Sequence, residues 1–433
     1  MFKKSFLMLV LMLFLVTSIG YAAPVKLIWW SPDPPDISKP YFEIAKAFEA
    51  KNPDIKVEVQ LVPEEGYMDK LLTAYAGGTA PDIFFSFDLR TTGPSMCEEL
   101  TPYIKGKDGI NMNIFDLRYL KKWMYIGDRI YALPRDLGFT AVYYNKDIFD
   151  KSGVAYPKPG WTLDDFLKIA QKLSKPEIQQ YGTTVFAPEV IRESFGVKIF
   201  DETFRKILIS TSPYKENTAK LIKWQLDLIT KYKVAPPPSV MQVIGGGGGG
   251  PLDLFKTGKI GMIDADYWGV AIFKEANMKF GVIDYPRAKG VKPIIEGWVG
   301  TWSICNKSKY KNEAWKLLKF IAGPEGAEIM GKAWAIPILP SVRKKLNWDK
   351  DPYNKVFADI LAKGTPWDCW WMQIPEIGTV MQPYWDITNN LLSKSEDKEF
   401  TLEEIIPLVE KAGKEMQSKL DNAWKSLEKI EKK

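Results

Sequence analysis

The sequence predicts an α/β protein built from two domains. Short apolar runs alternate with amphipathic stretches from Val25 to Phe87, in the order strand, helix, strand, helix, strand. That order is typical of a parallel sheet covered by helices. The chain has 433 residues, which exceeds the length at which one hydrophobic core keeps growing. We therefore expect two domains, with ligand chemistry in the loops that follow the strands.

The first five elements each carry a distinct signal. In chain order they are a strand at Val25–Trp30, a helix at Tyr41–Lys51, a strand at Ile55–Val62, a helix at Tyr67–Ala76 and a strand at Asp82–Phe87. The first strand is an apolar run that stops at a Ser-Pro-Asp-Pro-Pro loop, and the second alternates as IKVEVQLV. The first helix carries an apolar stripe and ends at Asn52-Pro53. Gly77 and Gly78 supply a helix end before the third strand.

The remainder of the chain repeats this alternation. Predicted strands lie at Thr140–Tyr144, Ile260–Asp264, Phe280–Tyr285 and Gly300–Cys305, and predicted helices at Leu163–Leu173, Thr218–Tyr232 and Leu402–Leu427. Asn145 or Asp147 is placed to cap the helix that follows the first of these strands. The glycine run Gly245–Gly250 favours a flexible loop. A phosphate-binding loop is disfavoured, because Pro251-Leu-Asp follows where Gly-Lys-Ser/Thr is required.

The amino terminus has the features of a secretory signal. Lys3 and Lys4 precede an apolar run from Phe6 to Val16, and Gly20 and Ala22 are placed for cleavage. We expect residues 1–22 to be removed as a signal peptide. No cysteine ends the apolar run, and no later stretch reaches the ~20 apolar residues of a membrane span. The prediction is a soluble periplasmic or secreted protein without a lipid anchor.

Composition favours ligand binding over catalysis. The chain has 16 tryptophans and no histidine, which excludes a Ser-His-Asp triad, a Cys-His pair and an HExxH zinc helix. A net charge of +6, with basic and acidic residues intermixed, disfavours nucleic acid as a partner. Cys97, Cys305 and Cys369 have no metal-ligand spacing, and either three thiols or one disulfide plus a thiol stays open. We predict no cofactor, no metal and no enzyme activity.

Six segments carry a resemblance to a known family. They are FEIAKAFEAKNPDIKVEV (Phe42–Val59), AGGTAPDIFF (Ala76–Phe85), YALPRDLGFTAVYYNKDIFDKSGV (Tyr131–Val154), GWTLDDFLKIAQKL (Gly160–Leu173), LFKTGKIGMIDADYW (Leu254–Trp268) and NEAWKLLKFIAGPEGAEIM (Asn312–Met330). In order and spacing they resemble the maltose-binding-protein-like group of extracellular solute-binding proteins, which serve bacterial ABC importers. The resemblance spans nearly the whole mature chain.

The resemblance implies a two-lobed α/β fold with parallel-rich sheets, helices on both faces and a hinge of three chain crossings. The crossings are expected near Arg135–Thr140, Gly281–Arg287 and Gly331–Leu339. One lobe would combine residues 24–136 with 285–332, and the other residues 137–284 with 333–433. Closure of the lobes would bury the ligand, and the closed monomer would dock on permease subunits in the membrane.

Aromatic residues are the first candidates for the ligand site. Trp268 follows a predicted strand where resembling sugar binders carry a stacking aromatic, and Trp385 matches their second cleft-lining aromatic. Trp298 and Trp371 are further candidates, although core packing is the alternative for each. The rings of the adjacent pair Trp370-Trp371 are expected to point in different directions.

Polar candidates lie in loops after the predicted strands and at the first crossing. They are Ser31, Asp33, Ser86, Asp88, Arg135, Asp136, Asp266 and Tyr267, with Glu64 and Glu189 as weaker candidates. Phe87, between Ser86 and Asp88, is also expected to reach the cleft. Carboxylates and guanidinium groups suit adjacent hydroxyls because each can make two hydrogen bonds at once. The alternative for each charged residue is an ordinary ion pair.

The leading functional hypothesis is a receptor that captures a carbohydrate, expected to be an oligosaccharide, and delivers it to an ABC importer. A second hypothesis keeps the fold and changes the ligand to a phosphorylated polyol or a polyamine, with Arg90 and Arg135 as phosphate contacts. An iron site is disfavoured because Tyr143 and Tyr144 are adjacent in a strand and face opposite ways. The third hypothesis is a secreted glycoside hydrolase that uses Asp164-Asp165 or Glu403-Glu404 as its carboxylate pair.

Overall fold

A computed structural model describes residues 23–35, 37–87, 89–244, 251–367 and 370–431. The predicted signal peptide, the Gly245–Gly250 loop, Asp88 and Cys369 lie outside the described residues. The strands are β1 (Val25–Ser31), β2 (Ile55–Leu61), β3 (Ile83–Phe85), β4 (Tyr125–Ile126), β5 (Arg129–Ile130), β6 (Leu133–Asn145), β7 (Met262–Asp266), β8 (Phe280–Ile283), β9 (Ile294–Ile295), β10 (Gly297–Ile304) and β11 (Thr365–Pro366).

The helices of the described residues fall into an amino-terminal and a carboxyl-terminal set. The first set is α1 (Lys39–Lys51), α2 (Tyr67–Ala76), α3 (Leu89–Met96), α4 (Thr101–Lys105), α5 (Leu117–Met124), α6 (Lys146–Ser152), α7 (Leu163–Leu173), α8 (Glu189–Ser194) and α9 (Tyr214–Ile229). The second set is α10 (Pro238–Ile244), α11 (Pro251–Lys256), α12 (Gly269–Glu275), α13 (Lys311–Ala322), α14 (Pro324–Ala333), α15 (Pro340–Lys345), α16 (Pro352–Lys363), α17 (Ile377–Lys394) and α18 (Leu402–Glu431). None of them is long and apolar enough to cross a bilayer.

Local signals account for the best-predicted elements. Helices α2 and α7 begin and end at the predicted residues. At the start of α7 the Thr162 hydroxyl accepts a hydrogen bond from Asp165 N at 3.1 Å, and the Asp165 carboxylate accepts one from Thr162 N at 3.0 Å. Asn145 caps α6 by accepting from Ile148 N at 3.2 Å. After α2 the chain turns at Gly78, whose φ of 72° is in the left-handed region.

The main sheet has the order β2-β1-β3-β10-β6-β7, and β8 also pairs with β6. The pairs β1–β2 and β1–β3 are parallel, as the alternating pattern predicted. The pairs β3–β10, β10–β6, β6–β7 and β6–β8 are antiparallel, so the sheet is mixed and not mainly parallel. Three strands run in the reverse direction: β10, which enters between β3 and β6, and β7 and β8, which pair with the second half of β6.

Strand β6 belongs to both parts of this sheet. Its first half pairs with β10, from Leu133 opposite Trp302 to Phe139 opposite Gly297. From Thr140 onward its partners are β7 and β8. The strand is therefore longer than the predicted Thr140–Tyr144. The change of partner falls within the segment predicted as the first crossing, while the lobe boundaries stay a prediction.

Buried side chains form two hydrophobic clusters. In the first, Trp302 of β10 packs edge-on against Trp29 of β1, with ring centroids 5.2 Å apart, and against Tyr41 of α1 at 5.6 Å. The second cluster joins α7 and α9 to the carboxyl-terminal helices α17 and α18. The first cluster also includes Phe255 and Phe273, so packing is continuous between segments assigned from the sequence to different lobes.

Candidate functional site

A cavity of about 470 Å³ lies where the loops after β1 and β3 meet β6, β7 and β10. Its lining is mainly aromatic, with a few polar groups. The lining residues are Pro32, Asp33, Pro34, Ile37, Glu64, Phe85, Ser86, Phe87, Trp123, Arg135, Asp266, Trp268, Ile272, Trp298, Val299 and Trp334. A concave site with apolar walls and a few convergent polar groups is the usual form of a small-molecule site.

The structure brings half of the candidate site residues to this cavity. Asp33, Ser86, Arg135, Asp266, Trp268 and Trp298 line it, together with the weaker candidate Glu64. Ser31 and Asp136 are buried directly behind the lining, where they bond to Asp33 and Arg135 respectively. Asp88 lies outside the described residues.

Tyr267 lies outside the cavity lining, although it is next to Trp268 in sequence. Its ring is buried against Trp348 and Phe357. Its hydroxyl donates to Asn354 Oδ1 at 2.9 Å and accepts from Trp348 Nε1 at 3.1 Å. These contacts fix the loop that carries Trp268 by tying it to α16 and to the turn before that helix.

Two tryptophans of the lining are positioned by strands of the main sheet. Trp268 comes two residues after β7, at the start of α12. Trp298 lies in β10 opposite Gly138 of β6, and its Nε1 lies 3.3 Å from Asp266 Oδ1, to which it donates. The indole of Trp298 covers Gly138 so closely that a Cβ there would lie 2.2 Å from the ring.

A Gly138→Ala substitution tests the position of Trp298. The added methyl group cannot coexist with the indole, so we expect the ring to move and the affinity for ligand to fall at least fivefold. Calorimetric titration of the variant measures this affinity. Gly258→Ala is a control for substitution alone, because a Cβ at Gly258 meets no atom within 4 Å, although its φ of +69° adds local strain. Unchanged affinity in Gly138→Ala would show that Trp298 does not contact the ligand.

Phe87, selected with Ser86, also lines the cavity, whereas sequence reasoning did not select Trp334, Trp123 and Phe85. Trp334 lies within the predicted third crossing, and its Nε1 donates to Ile37 O at 2.7 Å. Phe85 precedes Ser86 at the end of β3, so the strand-end argument applies to it as well. Trp123 is in the amphipathic helix α5, and no sequence signal distinguishes it from a core residue.

The polar centre of the lining is Arg135. Its Nε donates to Asp136 Oδ1 at 2.6 Å, and one terminal nitrogen donates to Asp33 and, at 2.7 Å, to Tyr41 Oη. The side chains of Arg135 and Asp136 are each 1 % exposed. Burial acts to lower the pKa of Arg135, but the two carboxylates outweigh it and hold the group charged. The guanidinium also lies 4.8 Å from the centroid of the Phe85 ring.

Three buried carboxyl groups belong to the strands and loops around the site, and Asp266 is the one that lines the cavity. Burial raises the pKa of Asp266 to about 6, with hydrogen bonds from Trp268 and Trp298 opposing the shift. Burial also raises the pKa of Asp264 to about 6, and the Tyr285 hydroxyl donates to that carboxylate. Glu296 accepts a hydrogen bond from Glu189 N, and its pKa is raised by burial. Of these groups, Asp266 is the one that lines the cavity and can accept a hydrogen bond from a ligand hydroxyl.

The pH dependence of stability tests the burial of Asp266. A carboxyl group whose pKa is raised on folding holds its proton at pH values where the unfolded chain has lost it. Its contribution to stability is therefore present at low pH and is lost as pH rises from about 4 through 6. Over this pH range, we expect the free energy of unfolding of Asp266→Asn to fall by roughly 1–3 kcal/mol less than that of the wild type. Urea unfolding at stepped pH measures it, and identical pH profiles for variant and wild type would contradict the assignment.

A second cavity, of about 550 Å³, lies beside α8 and the loops before β9 and after β11. Its lining includes Glu189, Lys198, Lys292, Trp367 and Trp370. Glu189, which lines this cavity, donates its backbone N–H to Glu296, two residues before Trp298 of the first cavity. Glu189, one of the weaker sequence candidates, therefore lines the second cavity and not the first.

Trp371 and Trp385 lie behind this second cavity in a row of stacked rings. The Trp370 and Trp371 centroids are 5.0 Å apart with an interplanar angle of 24°, and those of Trp371 and Trp385 are 5.6 Å apart at 19°. The expectation that the Trp370 and Trp371 rings diverge is wrong, because the tight turn of Trp370–Met372 brings them face to face. Trp371 keeps 38 % of its surface exposed.

Among the described residues, no group of three or more cysteine, aspartate or glutamate side chains is arranged to hold a metal ion. Tyr143 is buried and its hydroxyl donates to Asp266 O at 2.8 Å, while Tyr144 packs against Phe149 and Tyr156.

Comparison with known proteins places the chain among similar sequences and folds. The family model for bacterial extracellular solute-binding proteins matches residues 32–328. A putative binding protein of Brucella abortus is 29% identical over 306 residues, which is 65% of this chain and 68% of that protein. The erythritol/L-threitol-binding protein of Mycolicibacterium smegmatis is 26% identical over 346 residues, or 71% and 70% of the two chains.

Solved structures show the same fold. An ABC substrate-binding protein from Listeria monocytogenes in complex with cycloalternan has a TM-score of 0.75 at 22% identity, covering 92% of this chain and 98% of its own. A cyclo/maltodextrin-binding protein complexed with maltotetraose has a TM-score of 0.69 at 21% identity, covering 91% and 97%. The predicted two-lobed α/β fold is confirmed by these likenesses. Because the family model also matches more than half of the 433 residues, the chain belongs to the bacterial extracellular solute-binding proteins.

Proposed function

We propose that this protein is the receptor of an ABC importer and captures a carbohydrate, an oligosaccharide, for delivery to a membrane permease. The observation that carries the proposal is the 470 Å³ cavity, whose walls combine indole rings with carboxylates and an arginine. Indole faces suit the apolar faces of sugar rings, while carboxylates accept hydrogen bonds from hydroxyls. The complexes with cycloalternan and maltotetraose support the same ligand class.

The second cavity supports a ligand of more than one sugar ring. A single sugar would not need both cavities, and Glu189 of the second donates its backbone N–H to Glu296, two residues before Trp298 of the first. Trp367 and Trp370 give the second cavity its own aromatic surface. We therefore place further sugar units there, with Trp371 and Trp385 supporting the rings from behind. The predicted lobes would close over this ligand.

The electrostatics of the first cavity favour a neutral polyhydroxyl ligand over a phosphate ester. Asp33, Glu64 and Asp266 bring negative charge or acceptor oxygens to the lining. Arg135, the one cation of that lining among the described residues, already bonds to Asp33 and Asp136. A phosphate would therefore meet a site of like charge, with its arginine engaged.

We also propose that the protein does not alter its ligand. The carboxylate pairs selected as hydrolase candidates have structural roles. Asp165 completes the capping box of α7, and Glu404 accepts from Thr401 N at 2.9 Å and pairs with Lys398. Asp164 and Glu403 are their neighbours on the same helices, and none of these four residues lines either cavity.

Tryptophan fluorescence tests the proposal directly. Protein that has been unfolded and refolded to remove carried-over ligand is titrated with maltotetraose, mannotriose, a glycerol phosphate and a polyamine. We expect a saturable change with an oligosaccharide and recovery of the intact sugar afterwards. A response to the phosphate ester or the polyamine alone would overturn the carbohydrate assignment and keep the receptor. Cleaved sugar in the recovered fraction would instead identify a hydrolase.

A further inference from the structure

Cys97 and Cys305 face each other in an antiparallel backbone pairing. Cys97 follows α3, Cys305 follows β10, and the two are bridge partners. Their neighbours make the hydrogen bonds of the pairing: Glu98 N donates to Ile304 O at 2.8 Å, and Asn306 N donates to Met96 O at 2.9 Å.

This bond pattern fixes the distance between the two cysteines. In an antiparallel pair flanked by its hydrogen bonds, the facing residues are a non-hydrogen-bonded pair with Cα atoms about 4.5 Å apart and side chains on the same face. Disulfides need Cα atoms roughly 4.4–6.8 Å apart and Cβ atoms that approach each other. The backbone around Cys97 and Cys305 therefore already has the spacing that a disulfide requires.

Both cysteines are buried in the first hydrophobic cluster. Cys97 is 3 % exposed and Cys305 is 1 % exposed, and both are thiols in this structure. Burial raises the pKa of Cys97 to about 12, which leaves little reactive thiolate in the folded state. Oxidation must therefore take place while the chain folds, and a bond formed then is shielded from reductants afterwards.

We propose that Cys97 and Cys305 form a disulfide in the exported protein, joining the end of α3 to the end of β10. The family is extracellular, and extracellular compartments maintain disulfides. The oxidant is an exported thiol-oxidising protein that carries a disulfide of its own. One cysteine thiolate attacks that disulfide and forms a mixed disulfide, and the second cysteine then displaces the oxidant's thiol. The chain loses two protons and two electrons, and the oxidant is left as a dithiol.

The proposal is independent of the ligand, and it resolves the alternatives left open by three cysteines. Cys369 becomes the free thiol. The bond would close a loop of roughly 200 residues between Cys97 and Cys305, and long loops gain most from such a constraint on the unfolded chain.

Peptide mapping tests the bond. Protein exported to the periplasm of a bacterial host is unfolded in iodoacetamide without reductant and digested with trypsin. We expect residues 91–105 linked to residues 290–307, lighter than the two free peptides by two hydrogens, and an alkylated Cys369. The linked pair should persist in Cys369→Ala and be absent from Cys97→Ala and Cys305→Ala. Alkylated Cys97 and Cys305, or a link to Cys369, would overturn the proposal.

Thermal unfolding separates the bond from the packing of the two side chains. Reductant should lower the Tm of the wild-type protein by roughly 3–8 °C once the protein has been unfolded and refolded in it. The Cys97→Ala/Cys305→Ala double variant should be insensitive to reductant. A wild-type Tm that reductant leaves unchanged would contradict the bond, whatever the Tm of the variants.

Discussion

Arg135→Leu is expected to lower the free energy of unfolding by about 3–5 kcal/mol, because removing one partner of a buried ion pair leaves the other charge uncompensated. Asp136 is 1 % exposed, and the substitution would remove Arg135 as its ion-pair partner. Burial already raises the pKa of Asp136, and Arg135 is the main opposing influence. Urea unfolding near neutral pH measures the loss.

Two further variants make this result specific to the buried pair. Arg118→Leu removes an arginine whose side chain is 56% exposed and pairs with Asp116, and it should cost less than about 1 kcal/mol. The double variant Arg135→Leu/Asp136→Leu also removes the buried carboxylate and leaves Asp33, which is 16% exposed and bonded to Tyr41, so it should recover much of the lost stability. A double variant no more stable than Arg135→Leu would show that packing, and not the uncompensated charge, sets the loss.

Trp268→Ala is expected to weaken ligand binding tenfold or more while leaving the fold intact. Tenfold corresponds to about 1.4 kcal/mol, which is within the range for loss of one buried apolar face. Trp268 is half-buried at the cavity, and its removal takes one hydrogen bond from Asp266, whose carboxylate keeps the one from Trp298. Calorimetric titration with the oligosaccharide that wild-type protein binds best gives the affinity.

Trp224→Ala is the matched control for this experiment. Trp224 is also half-buried, but it lies in α9 against Phe166 and Phe195, and none of these three residues lines either cavity. Its removal should leave affinity unchanged within twofold. Equal affinity for Trp268→Ala and wild type would remove Trp268 from the site and direct attention to Trp298 and Trp334.

The parts of the fold that could be predicted are those with local causes. Helix α7 has a capping box at Thr162 and Asp165, and α2 ends before Gly78, so both helices have their own boundaries in the sequence. The direction of β10 has no such local cause. It depends on pairing with strands more than a hundred residues earlier in the chain, and that pairing makes the sheet mixed.

The residues of the candidate site also divide into those that the sequence could predict and those that it could not. Positions just after strands, such as Asp33, Ser86 and Trp268, could be selected because strand ends converge at one edge of the sheet. Trp123 reaches the cavity through the packing of α5, which periodicity does not reveal. Tyr267 could not be separated from Trp268 by sequence either, since only the three-dimensional contacts with Trp348 and Phe357 assign it to the protein interior.

The position of β6 in the sheet also affects how the protein unfolds. The strand pairs with β10 over Leu133–Phe139 and with β7 and β8 over Thr140–Asn145, and the two parts of the sheet have no other described strand in common. Opening of either part would expose one half of β6. Because the two halves form one continuous strand, this opening would also destabilise the other half. Amide hydrogens of Ala141–Tyr143 should therefore exchange with solvent only through global opening, and both parts of the sheet should melt in a single cooperative transition.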